Sequence, residues 1–187
     1  MTKNENNSLI NNVGKDLRQL RKENNLTIDQ LASLSQVSGI TISNIENGKS
    51  NPTLNSLWKL SEALNVPLTK VLGFSTPNTT ISKFSESYFI NDLENGWVVQ
   101  PIFQDENIEV FRVCLKANSS NPVMNQTKGS IEIITVMKGE LKLKVKEQLY
   151  FLSTYDSINF DSGTQHEYIN ETNEDLFLNI VVKYQNI

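Results

Sequence analysis

Small polar side chains in the first half of the chain could hydrogen-bond to the edges of DNA bases. Thr41, Ser43 and Asn44 carry hydroxyl and amide groups at a spacing that places them on one side of a helix. Such groups bind bases in the major groove, where the neighbouring Ile40 could contact the methyl group of a thymine. A two-helix corner in an ordinary helical domain would show the same spacing. The pattern by itself therefore leaves both interpretations open.

Two short helices have to position these side chains. Thr27 followed by Gln30 predicts a capping box at the start of the first helix. Ser38 predicts the N-cap of a second helix that runs to about Asn47, and Gly48 stands where a left-handed residue would end it. The face of this second helix predicted to be buried consists of Ile42, Ile45 and the aliphatic part of Glu46. The opposite face is predicted to carry Gly39, Ile40, Thr41, Ser43 and Asn44.

Residues 13–73 resemble the phage-repressor-like (Cro/Xre-type) DNA-binding domain. The resemblance rests on LRQLRKENNLTIDQLA and on VSGITISNIENGKSNPTLNSLWKLSEALNVPL. It implies a five-helix, lambda-repressor-like fold in which the second of the two short helices reads DNA and the loop after it grips the backbone. Gln36 replaces the usual turn glycine, and Gly39 and Ile40 replace polar residues common at the start of the reading helix. The predicted DNA contacts are Thr27, Ser38, Gly39, Ile40, Thr41, Ser43, Asn44, Lys49, Ser50 and Asn51.

Apolar residues at helical spacing predict a first helix from about residue 9 to residue 24. Its outer side is predicted to carry Arg18, Arg21 and Lys22, which either form a solvated face or contact phosphates. Leucines at positions 54, 57, 60 and 64 predict a fourth helix, and residues 68–72 a short fifth one.

Charge and cysteine content limit the function classes. The 187-residue chain has a net charge of −4, which argues against a protein that coats nucleic acid uniformly. The charge is uneven, because residues 1–73 carry +2 and residues 74–187 carry −6, as in a DNA-binding module joined to a non-binding one. The single Cys114 is predicted to be a buried strand residue; it excludes an intramolecular disulfide and fits a reducing cytoplasm. We expect no signal peptide and no membrane span.

The composition changes after residue 73. Residues 74–82 are rich in Ser, Thr, Pro and Asn, and they predict a linker between domains at residues 9–73 and 83–187. Beyond the linker, alternation at residues 109–115 and 140–146 and further short strands predict an all-β antiparallel sandwich or barrel. Turns are predicted at residues 118–121, 139 and 161–163.

Residues 107–184 resemble the cupin domain, a double-stranded β-helix or jelly-roll barrel. Glu132 with Gly139 resembles the end of the first cupin motif, and Gly163 with His166 and Asn170 resembles the second. Metal-binding cupins use three His and one Glu; Glu132 and His166 match two ligand positions, but Asn125 and Thr127 fall on the other two. We therefore expect no metal, no other cofactor and no catalytic residue. The candidate effector-pocket residues are Asn125, Thr127, Glu132, His166 and, if it points inward, Arg112.

The leading hypothesis is a sequence-specific transcriptional regulator that binds double-stranded DNA as a homodimer and responds to a small molecule in the barrel. One alternative is a regulator whose barrel is a structural dimerisation scaffold. Another is a metal-dependent cupin enzyme with an accessory DNA-binding domain.

Overall fold

The computed structural model describes residues 3–74, 81–84, 90–92, 95–123 and 129–184. The chain divides into two compact units, residues 1–75 and residues 76–187. Most of the segment predicted to link them lies outside the described residues.

The first unit is helical throughout its described part. Amphipathic stripes pack into one core that includes Leu17, Leu31, Ile42, Ile45 and Leu60, each at most 1% exposed. The five helices of the described residues are α1 Lys3–Glu23, α2 Ile28–Ser35, α3 Gly39–Glu46, α4 Leu54–Leu64 and α5 Leu68–Val71.

Local hydrogen bonds set the helix ends where the sequence predicts them. The Thr27 hydroxyl accepts from the Gln30 N–H at 3.1 Å, and the Gln30 side chain accepts from the Thr27 N–H at 2.8 Å, which is the predicted capping box. Ser38 caps α3 by accepting from the Thr41 N–H. Gln36 has φ of 57°, so the turn before α3 holds a side chain in the left-handed region that glycine occupies at lower cost.

Arg21 is buried, so its predicted position on the outer side of α1 is wrong. Its Nε donates to Glu46 Oε1 at 2.6 Å and its Nη2 donates to Glu46 Oε2 at 2.8 Å, which joins α1 to α3. Its Nη1 also donates to the Leu26 carbonyl oxygen at 2.9 Å. Arg21 therefore helps to position α3, whereas Arg18 and Lys22 are exposed.

In its described residues, the second unit forms two antiparallel sheets. The six-stranded sheet has the order β1-β2-β3-β10-β5-β8, and the four-stranded sheet has the order β4-β9-β6-β7. The strands are β1 Ile90–Asp92, β2 Trp97–Gln104, β3 Ile108–Leu115, β4 Ser119–Val123, β5 Ile131–Lys138, β6 Leu141–Val145, β7 Gln148–Leu152, β8 Ser157–Asp161, β9 His166–Asn170 and β10 Leu176–Lys183.

The two sheets enclose a common interior. Trp97 of the six-stranded sheet packs on Tyr168 of the four-stranded sheet, with 4.7 Å between ring centroids. Inward positions alternate with outward ones, so that Phe111, Leu178 and Ile134 are buried. The cupin-like jelly-roll prediction is confirmed at this level of architecture.

The predicted turn at residues 118–121 is shorter than expected. Asn118 has φ of 52° and marks the turn, but β4 already begins at Ser119 and pairs with β9, opposite Asn170. The polar residues that suggested a longer turn are held in a strand by pairing with a segment about 50 residues away.

Candidate DNA-binding face and barrel interior

Helix α3 divides its side chains as the sequence predicts. Ile42, Ile45 and Glu46 are buried, while Thr41, Ser43 and Asn44 are partly exposed. Ile40, next to Thr41 in α3, is 77% exposed. An exposed isoleucine flanked by small polar groups has the chemistry of a surface that reads base edges and thymine methyl groups.

The remaining predicted DNA contacts lie at the N-termini of α2 and α3 and in the loop after α3. Gly39 is the first residue of α3, after the Ser38 cap, and Thr27 lies at the N-terminus of α2. Helix N-termini favour anions, including phosphates. After α3, Gly48 has φ of 66° and turns the chain into a loop in which Lys49 and Asn51 are exposed and Ser50 is partly exposed.

Glu132 and His166 lie together in the barrel interior. Both side chains are 0% exposed, and His166 Nε2 lies 3.8 Å from Glu132 Oε2. Tyr168 donates its hydroxyl hydrogen to Glu132 Oε1. The rings of Phe160 and Tyr168 lie edge-on to the imidazole, with centroids 5.0 and 5.4 Å away. The two matching motif residues therefore meet, as the resemblance implied.

Arg112 does not lie beside Glu132 and His166 in the barrel interior. It lies on β3 opposite Gln100 and Asn179, on the outer face of the six-stranded sheet, while Phe111 and Val113 point inward. Its Nη1 donates to Gln100 Oε1 at 2.6 Å, and its guanidinium lies 5.9 Å from the ring centroid of Phe84. The inward orientation that would place Arg112 in the pocket is not found. Asn125 and Thr127 lie outside the described residues.

Three interior residues were missed by the sequence reasoning. Glu109 is buried and accepts from the hydroxyl of Tyr184, which is 7% exposed, and Tyr168 is buried against Glu132. Glu109 is in phase with the inward-facing Phe111 and Val113, so an acid on the apolar side of an alternating strand was the available signal.

The possible metal ligands in the barrel interior do not suit the metal ion that many cupins bind. Within the described residues, no group of three or more His, Cys, Asp or Glu side chains is arranged to hold a metal ion. Two donors on a tetrahedral ion with bonds of ~2.0–2.1 Å are ~3.4 Å apart, whereas His166 Nε2 and Glu132 Oε2 are separated by 3.8 Å. His166 is moreover the only histidine in the chain.

The imidazole of His166 is held as one tautomer. Its Nδ1 lies 2.7 Å from the Thr164 carbonyl oxygen, and because a carbonyl can only accept, Nδ1 carries the hydrogen. Burial lowers the pKa of His166 below its ordinary value, and the hydrogen bond to Thr164 opposes that shift in part. In the neutral ring Nε2 is then a lone-pair acceptor, and within the described residues it has no hydrogen-bond partner.

The lowered pKa of His166 predicts a pH-dependent stability. Between the folded pKa and the unfolded value of about 6.5, the unfolded chain binds more protons, so stability falls as pH decreases through this window. We expect the urea midpoint of the full chain to decrease from pH 7.5 to pH 5.5, and the decrease to be smaller in His166→Gln. If wild type instead gains stability over His166→Gln at low pH, a protonated His166 pairs with Glu132 and the direction is reversed.

Known protein families match both the helical unit and the barrel of this chain. A helix-turn-helix family model matches residues 17–71, and a cupin domain model matches residues 111–182. The HTH-type transcriptional regulator SutR of Escherichia coli is 25% identical over 90% of this chain and 92% of its own length. The HTH-type transcriptional repressor RghR of Bacillus subtilis is 48% identical over 31% of this chain and 44% of its own length.

A solved structure matches this chain over nearly its full length. The crystal structure of an HTH_3 family transcriptional regulator from Vibrio cholerae superposes with a TM-score of 0.80 at 26% identity, and the match covers 96% of this chain and 99% of that one. Within the described residues, none of the helices is long and apolar enough to cross a membrane.

Proposed function

We propose that this chain, a helix-turn-helix transcriptional regulator with a C-terminal cupin domain, binds its operator as a homodimer and that a small molecule in the barrel changes its affinity for DNA. Such a regulator would act where the DNA is, in the bacterial cytoplasm.

The outer face of α3 carries the DNA-binding part of this proposal. An α-helix fits the major groove, and residues near its N-terminus reach base edges. Here Ile40 is 77% exposed and Asn44 lies one turn further along, so both can face the groove while Ile42 and Ile45 hold the helix to the core. Lys49 is exposed in the loop after α3 and would contact the phosphate backbone.

An apolar row on the barrel surface supports the dimer. On the outer face of the six-stranded sheet, Phe103 pairs with Val110, Val110 with Val181, and Val181 with Ile133. Phe103 is 42% and Ile133 is 40% exposed. A second copy of the chain could cover this row symmetrically, and a dimer places two recognition helices about 34 Å apart, on successive major grooves.

The barrel interior supports the effector and argues against catalysis. Glu132 and His166 place polar groups among buried apolar side chains such as Phe111, Ile134 and Leu178, as a small-molecule site requires. An effector alters operator affinity only if it binds one state of the dimer better than another. We propose that the barrel is not catalytic, because the sequence has Asn125 and Thr127 at the first-motif ligand positions, and neither is a good ligand for iron, zinc or manganese.

Operator binding by two variants tests the assignment of α3. Asn44→Ala is expected to relax preference at one base position and to cost about 1–3 kcal/mol of binding free energy. Lys49→Ala is expected to weaken binding to all sequences and to reduce the salt slope by about one unit. Genome-wide mapping of bound sites in the native host would supply the operator, and a dimer predicts half-sites about one helical turn apart.

Matched controls come from the exposed side of α4. Asn55→Ala and Lys59→Ala remove the same chemical groups from exposed positions on α4, outside the residues predicted to contact DNA. Both should leave affinity and base preference unchanged. If Asn44→Ala behaves like Asn55→Ala, α3 does not read the operator in the way proposed.

A further inference from the structure

Strand β7 is an exposed edge of the four-stranded sheet. Among the described residues it pairs only with β6, so no strand lies along its other side. Its outward side chains are Leu149, which is 44% exposed, and Phe151, which is 74% exposed. They lie opposite the outward-facing Lys144 and Lys142 of β6. The strand therefore offers another chain both an open backbone edge and apolar side chains.

The other edge strands of the described residues are less suited to pairing. β1 has only three residues, which limits the ladder that a partner could form. β4 contains Pro122, and proline cannot donate a backbone hydrogen bond. The outward residues of β8 are polar: Ser157, Asn159 and Asp161. Only β7, with five residues, combines an edge position with exposed apolar side chains and no proline.

The side chains of β7 are complementary to those of a second β7. If two copies pair antiparallel about a two-fold axis at Tyr150, Leu149 of one copy lies opposite Phe151 of the other. Directly opposite side chains have Cβ atoms about 4.5–5.5 Å apart, so these apolar groups cover each other. The charged residue nearest to the strand, Glu147, then lies opposite Ser153 rather than another acid.

Charge pairing beside β7 favours this partner over an acidic peptide. Lys142 Nζ lies 2.6 Å from Glu171 Oε1, and Lys144 Nζ lies 3.8 Å from Glu147 Oε2. The two lysines next to the strand therefore already have acidic partners within their own chain. Since the exposed side chains of β7 itself are apolar, they are best covered by an apolar strand, and β7 of a second copy is one.

The area at this edge is small for a permanent interface. A fully buried aromatic side chain covers about 150–250 Å², so Phe151 at 74% exposure offers about 150 Å² in each copy. With Leu149 and both copies included, the side chains supply on the order of 450 Å², against about 1,200 Å² in a stable interface. The association should therefore be weak and should depend on protein concentration.

We propose that a second copy of this chain binds along β7, so that two four-stranded sheets join into one continuous antiparallel sheet with Leu149 against Phe151 across the two-fold axis. This edge is separate from the apolar row that supports the dimer, because that row lies on the six-stranded sheet. An assembly that uses both surfaces carries four DNA-binding units. The inference depends neither on operator binding nor on an effector.

Sedimentation velocity of the full chain over a range of micromolar concentrations measures this assembly. Leu149→Lys places an ammonium group opposite Phe151 of the second copy, and we expect it to weaken the β7 association about tenfold or more. Leu34→Lys is the matched control, since Leu34 is 60% exposed on α2 and should leave the association unchanged. Both positions are exposed, so both variants should fold as wild type does, which circular dichroism checks.

Disulfide cross-linking tests the register of the two strands. In a Cys114→Ala background, Leu149→Cys mixed with Phe151→Cys should form a linked pair under mild oxidation, because the two positions lie opposite each other. Each variant alone should not, since the same position in two copies lies diagonally, about 7–8 Å apart. Mass spectrometry distinguishes the mixed pair from a pair of identical chains.

Ile133→Lys separates the two surfaces, because it changes the row on the six-stranded sheet and leaves β7 intact. The inference is overturned if Leu149→Lys assembles as wild type does at every concentration, which includes a wild type that stays monomeric, or if Ile133→Lys alone dissociates the assembly. It is also overturned if the mixed cysteine variants cross-link no better than either variant alone. A loss of assembly in Leu149→Lys, together with cross-linking of the mixture only, supports it.

Discussion

Replacing Arg21 with Met is expected to destabilise the helical domain by about 3–5 kcal/mol. The side chains of Arg21 and Glu46 are 11% and 4% exposed, and the pair is bidentate, with N–O distances of 2.6 and 2.8 Å. Removing the guanidinium leaves the Glu46 carboxylate buried without its charge partner, which costs more than the lost attraction alone. Urea unfolding of the full chain, followed by the helical signal, measures the loss.

A double-mutant cycle tests whether the loss of stability comes from leaving the Glu46 carboxylate without its partner. Because a buried ion pair often adds little net stability over apolar residues of similar size, Arg21→Met combined with Glu46→Leu should recover most of the loss. Operator affinity should recover less, since the pair also joins α1 to α3 and Arg21 holds the Leu26 carbonyl before α2. If Arg21→Met alone is as stable as wild type, Glu46 is not held as the contacts indicate. Arg18→Met, at an exposed position of α1, is the matched control.

Replacing Gly14 with Ala is the second change expected to destabilise the helical unit strongly. A Cβ at position 14 would lie 2.3 Å from the backbone carbonyl oxygen of Ile45 and 3.3 Å from the Glu46 Cα. Backbone atoms of α3 cannot rotate away, so α1 and α3 have to separate. Overpacking of this kind costs about 1–3 kcal/mol, occasionally more, and here we expect about 3 kcal/mol. The shift displaces α3 itself, so operator affinity should fall with stability.

Gly39→Ala is the control for Gly14→Ala. A Cβ at Gly39 would meet its nearest atoms at 3.5 Å, which is ordinary van der Waals contact, and alanine has a higher helix propensity than glycine. Gly39→Ala should therefore unfold at the same or a higher urea concentration than wild type. Equal midpoints for Gly14→Ala and wild type would show that α1 and α3 do not pack as closely as the Gly14 contact requires.

Interactions between near neighbours in the sequence were predictable from the sequence. The capping box of Thr27 and Gln30, the Ser38 cap and the left-handed Gly48 each involve groups within a few residues of one another. The alternation at residues 140–146 likewise predicts β6 Leu141–Val145, because strand periodicity is a local property of the chain. The two domain types were implied by the resemblance of residues 13–73 and 107–184 to known families.

Contacts between distant segments were decided by the tertiary structure. An arginine on a polar helix is assigned to solvent by default, and the buried position of Arg21 depends on Glu46, 25 residues away. The inward phase of Glu109 was visible in the sequence, but its partner Tyr184 is 75 residues away, and the outward position of Arg112 depends on the register of β3 with β2 and β10. Burial of a charged group is stable only where a partner has been brought beside it, and that pairing is a property of the folded chain.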